Sequence, residues 1–66
     1  MKESKYHELD NCFVKAVTQK AILVDHEGYE YWIPKSQTLN GMHQVKGDSV
    51  DLEVSEWFLD KEGINY

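Results

Sequence analysis

Ser49-Val50-Asp51-Leu52-Glu53-Val54-Ser55 alternates polar and apolar side chains without interruption. Successive side chains of a strand point to opposite faces, so Val50, Leu52 and Val54 turn toward a core while Ser49, Asp51, Glu53 and Ser55 turn toward water. This strand runs directly into Glu56-Trp57-Phe58-Leu59, and the junction carries the marks of a helix start. Ser55 offers an N-cap hydroxyl to the N–H of Trp57 or Phe58, Glu56 places a negative charge in the first turn, and Val54 and Leu59 occupy the two positions of a hydrophobic staple. Gly63 can then stop the helix in a left-handed conformation, with Ile64 set against Leu59 as in a Schellman motif.

Upstream, the chain holds further strands. Cys12-Phe-Val-Lys-Ala-Val and Ala21-Ile-Leu-Val are rich in side chains that suit a pleated surface, with Thr18-Gln19-Lys20 turning between them. Asp25-His26-Glu27-Gly28 reverses the chain into Tyr29-Glu30-Tyr31-Trp32-Ile33, where Gly28 supplies a positive φ. Pro34 lacks the N–H of a central ladder and ends that strand, opening a short 3₁₀ or α turn through Lys35-Ser36-Gln37. Leu39 to Val45 shows no period, and Lys46-Gly47-Asp48 turns into the strand described first. Residues 1–11 are charged and broken by Asp10-Asn11, so they read as an N-terminal arm or weak edge strand, with Tyr6 and Leu9 able to pack at an edge, ahead of a domain over 12–66. The fold expected is a small, strongly curved antiparallel β-barrel, SH3-like or OB-like, with a short 3₁₀/α turn and a short C-terminal helix.

Sixty-six residues allow one domain with little room for a deep pocket, so neither an enzyme nor a small-molecule substrate or cofactor is expected. The single cysteine cannot form an intramolecular disulfide, and no Cys/His pattern has zinc spacing. Cys12 is expected to be buried and inert, and His26, between Asp25 and Glu27, to be a solvated turn residue; that turn lacks the ligand count of a calcium cage. With no apolar run of membrane length and no signal peptide, the expected setting is cytoplasmic, with no membrane partner. Residues 1–47 balance six acids with six lysines, whereas residues 48–66 hold six acids against Lys61 alone, which accounts for the net charge of −5. That distribution disfavours duplex nucleic acid, whose binding needs a basic face.

Lys20 to Val24, Glu30-Tyr31-Trp32-Ile33-Pro34-Lys35-Ser36-Gln37 and Ser55-Glu56-Trp57-Phe58-Leu59 resemble a loose group of small hypothetical proteins of bacteriophages and bacteria. Their shared element looks like a Trp-Ile-Pro-Lys-Ser-Gln core, an acidic strand and a Trp-bearing terminal helix. The resemblance spans roughly residues 20–62 and implies a phage or mobile-element origin with no activity attached. Where that group has an aliphatic residue after Gln, this chain has Thr38 and then Leu39.

Aromatic residues make up 12% of the chain, more than so small a barrel can bury completely, so some of them are expected at the surface as the functional site. Tyr29 and Tyr31 share one face of their strand and Trp32 takes the other. With Asp51, Glu53 and Glu56 they form the expected protein-binding surface, since Trp and Tyr are enriched in interface hot spots. The alternative is single-stranded nucleic acid stacked on Tyr29 and Tyr31, with Lys35, Lys15 and Lys20 meeting phosphates.

Overall fold

The computed structural model describes residues 5–65. The elements follow in the order β1 (Tyr6–Val17), β2 (Ala21–His26), β3 (Tyr29–Pro34), a 3₁₀ turn (Lys35–Gln37), β4 (Ser49–Ser55) and α1 (Glu56–Glu62). The four strands make one antiparallel sheet in the order β3-β2-β1-β4, so the meander β1-β2-β3 carries the last strand on its first. The fold is therefore mainly β, with one short 3₁₀ turn and one short C-terminal helix as expected. Among the described residues no helix is long and apolar enough to cross a membrane.

β1 is 12 residues long and serves two partners in turn. Tyr6 to Leu9 pair with β4, Val14 to Val17 pair with β2, and Phe13 pairs with both. Two bulges bend it: the register shifts between Leu9 and Cys12 against β4 and between Val14 and Ala16 against β2. Of residues 1–11, expected to be an arm or weak edge strand, 1–4 lie outside the described residues and Tyr6 onward is strand, continuous through a bulge at residue 11 with the rest of β1. Asn11 sits in the left-handed region at φ 55°, which Asn tolerates better than most residues, and Asp51 Oδ1 accepts its N–H at 2.9 Å. The polar pair Asp10-Asn11 that looked like a break is what curves the strand.

The core lies where the inward faces of the four strands meet α1. Leu9, Cys12, Val14, Ile22, Val24, Ile33, Leu52 and Val54 are buried on the sheet, with Phe58, Leu59 and Ile64 over them. Both helix ends form as the sequence dictates. Ser55 Oγ accepts from the Phe58 N–H, Gly63 adopts φ 70°, and the Ile64 N–H donates to Leu59 O at 2.9 Å, which drops the Ile64 side chain onto the core.

The segment after the 3₁₀ turn is held against β4. Thr38 bridges Val54, the Leu39 N–H donates to Glu53 O, and the Asn40 amide accepts from Glu53 N–H and donates to Asp51 O. Thr38 Oγ1 donates to Lys35 O and accepts from the Gly41 N–H. A Cβ at Gly41 would lie 2.3 Å from that oxygen, so the tight turn after Asn40 requires glycine.

Candidate functional site

Ladder geometry sorts the side chains of β1, β2 and β3 onto two faces. Val14, Val24 and Ile33 are buried, so their strand neighbours Phe13, Leu23 and Trp32 project from the outer face. Leu23 pairs with both Ala16 and Trp32, and Phe13 lies one row away opposite Asp25. Phe13 is 43% exposed and Trp32 52%, so an aromatic-aliphatic strip crosses this face uncovered by the helix. Lys15 reaches over it to Glu30, and that hydrogen-bonded ion pair holds the lysine pKa above its ordinary value.

Tyr29 and Tyr31 lie on the other face, as their spacing indicates. Tyr31 is half-buried against the core, whereas Tyr29, at the strand end, is 68% exposed. With His26, Glu27, Gly63 and Asn65 they line a hollow of about 270 Å³, below the usual ~300–1,000 Å³ of ligand cavities. The three lysines grouped from the sequence separate in space. Lys35 donates its N–H to Lys20 O, which sets those two side by side beyond the end of β3, whereas Lys15 is committed to Glu30.

Asp51 and Glu53 project from the outer side of β4, at the far edge of the sheet from Trp32. β1 adds two acids that the linear charge count left in a neutral segment. Glu8 pairs directly with Glu53, and carboxylate oxygens of Glu8, Asp10 and Asp51 all lie within 4.8 Å of one another. Repulsion from Asp51 first, then Asp10, raises the Glu8 pKa above its ordinary value of 4.5. The acidic surface is therefore a β1–β4 face. Glu56 stands apart from it, its Oε1 accepting from His7 Nε2–H at 2.9 Å where the start of β1 meets α1.

His26 is buried, not solvated. Its Nδ1–H donates to Asp10 O at 3.0 Å, and Cys12 Sγ lies 3.8 Å from the same nitrogen. The two residues are 14 apart in sequence, and the β1–β2 hairpin folds them together. The pair is not an activated thiol: burial pushes the Cys12 pKa up to about 11, and Sγ contacts Leu9 O at 3.4 Å as a neutral S–H donor.

Residues that the sequence did not single out include Trp57 of α1. It is 62% exposed with Lys61 Nζ 5.6 Å from its ring, while Phe58 and Leu59 alone face inward. Phe13 was also missed, although its place next to buried Val14 in an alternating strand was the available signal. Compared with known proteins, the chain matches no family model, no curated sequence and no solved structure.

Proposed function

We propose that this protein is a non-enzymatic binding module of phage or mobile-element origin that engages a host or phage protein. The observation that carries the reading is the outer strip of Phe13, Leu23 and Trp32, whose two aromatics stay in water although a core lies on the opposite side of the same strands. Exposed Trp on a rigid sheet supplies contact area at low entropic cost, and hot spots are built from such residues. Tyr29, exposed on the other face at the start of β3, adds a separate aromatic contact. Asp51 and Glu53, joined by Glu8 and Asp10, act at a distance as a steering field for a partner with a basic surface. We read the sheet as a small barrel of the SH3-like or OB-like kind, completed along β4 by Thr38 and Leu39 in place of a β3–β4 ladder.

Single-stranded nucleic acid fits less well. Of its expected contacts, Lys15 is neutralised by Glu30 and Tyr31 is half-buried, leaving Tyr29 with Lys20 and Lys35. The test is affinity capture from host lysate with the intact chain and, in parallel, Trp32→Ala and Asp51→Lys/Glu53→Lys. The expected result is a protein partner lost with Trp32→Ala and captured more slowly by the charge variant, whose association no longer slows as salt rises. Quenching of Trp fluorescence by a single-stranded oligonucleotide at ~150 mM salt, abolished by Tyr29→Ala, would replace this reading with the nucleic-acid one.

A further inference from the structure

The free edge of β3 is a backbone surface that the reading above does not use. Lys35 N–H donates to Lys20 O, and hydrogen-bonded pairs alternate along an antiparallel ladder, so 20↔35, 22↔33, 24↔31 and 26↔29 are the bonded pairs. Tyr29, Tyr31 and Ile33 therefore spend their N–H and C=O groups on β2. Glu30, Trp32 and Pro34 aim theirs outward, and the N–H that Pro34 lacks is one that would have pointed to the outside. Among the described residues no partner meets the outward groups of Glu30 and Trp32. The opposite edge, on β4, is covered by Thr38, Leu39 and the Asn40 amide.

Charge is distributed along this edge in a self-complementary way. β3 begins after Asp25 and Glu27 and ends beside Lys35 and Lys20, and neither lysine has an ion-pair partner among the described residues. An antiparallel copy brings each acidic end onto a basic end. The acidic face of Glu8, Asp10, Asp51 and Glu53 stays on the far side of each sheet, so these carboxylates of the two chains are held apart.

We infer that the occupant of the β3 edge is a second copy of this chain, paired antiparallel about a twofold axis through Tyr31. In this register Glu30 exchanges both backbone bonds with Trp32 of the second copy, two such pairs give four bonds, and Glu27 lies opposite Lys35 of the second copy. The two sheets become one, and the outer strips of Phe13, Leu23 and Trp32 join into a single face. With only two donors per copy at the edge the association is weak, as suits a strand that must not template open-ended aggregates.

The experiment is sedimentation equilibrium of the full chain up to submillimolar concentration, with amide exchange measured at the same concentrations. A dimer is expected, with exchange of the Glu30 and Trp32 amides slowing as concentration rises while Tyr31 and Ile33 are protected throughout. Glu27→Lys and Lys35→Glu should each weaken the dimer by about tenfold, and the double swap should restore it. Trp32→Ala should still pair through its N–H, whereas Trp32→Pro should not. A monomer at all concentrations overturns the inference, as does a dimer that ignores the charge swap or leaves the Glu30 amide unprotected. A monomer that instead captures an extended peptide along β3 assigns the edge to another chain and overturns it too. None of these outcomes depends on the lysate capture, which reads the outer face.

Discussion

The two edge strands of the sheet are finished differently. β4 is covered along its backbone by Thr38, Leu39 and the Asn40 side chain, and its exposed side chains are Ser49 and the carboxylates of Asp51 and Glu53. β3 has an unsealed backbone, aromatic side chains on both faces and one proline at its end. An unpaired strand edge invites association, and charge, proline or a covering segment are the ways proteins control it. Here β4 has cover and two carboxylates together, while β3 has Pro34 and the single charge of Glu30 and no covering segment. The acidic edge is also the one where the backbone of Asp51 and Glu53 is met from outside, while the outward backbone groups of Glu30 and Trp32 on β3 are left open.

The largest expected effect tests the face assignment of the sealed strand. Leu52→Asp puts an unpaired charge among Leu9, Val54 and Leu59 and should cost several kcal/mol in urea unfolding, enough to unfold a domain of this size. Asp51→Asn, one residue away on the outer side, should change stability by ~0.5 kcal/mol or less, because its Oδ1 still accepts from Asn11. Equal effects at the two positions would mean the faces are wrongly assigned.

Asn40→Ala should come next. It removes both side-chain bonds that imitate a neighbouring strand, at a cost of about 1–2 kcal/mol, and amide exchange at Glu53 should accelerate. If Glu53 remained protected, the seal would lie in the Leu39 backbone alone. Gly63→Ala should cost roughly 1 kcal/mol through the positive φ, with open space around the new methyl leaving strain as the only cause.

The smallest effect concerns pH. Glu8 has its folded pKa raised above 4.5 by Asp51 and Asp10, so the folded state holds its proton more tightly than the unfolded chain. Protonation therefore favours folding: stability is greatest below 4.5 as far as this group is concerned and declines as pH rises through its folded pKa. Glu8→Gln should remove that decline and leave the protein slightly more stable at neutral pH. Thermal unfolding of both proteins from pH 4 to pH 7 checks it, and an unchanged slope would show that the β1–β4 carboxylates do not sense one another.

What was legible in the residues was whatever depends on near neighbours. The alternation of Val50, Leu52 and Val54, the capping of α1 by Ser55 and Gly63, the reversal at Gly28 and the stop at Pro34 are each decided within a few residues, by side-chain period, local hydrogen bonds and φ. The opposite faces of Tyr29 and Trp32 followed from the same period of two. Tertiary structure decided what depends on registration between distant segments. The bulges of β1 carried Glu8 and Asp10 to Asp51 and Glu53, folded His26 onto Cys12, and made the stretch from Tyr6 to Asn11 continuous with the strand that follows it. Which edge is sealed was equally beyond local reading, because a side chain 13 residues from Glu53 does the sealing. A bulge shifts register by one residue, and with a side-chain period of two that single step redirects everything beyond it, so long-range juxtaposition follows only once all four strands are in place.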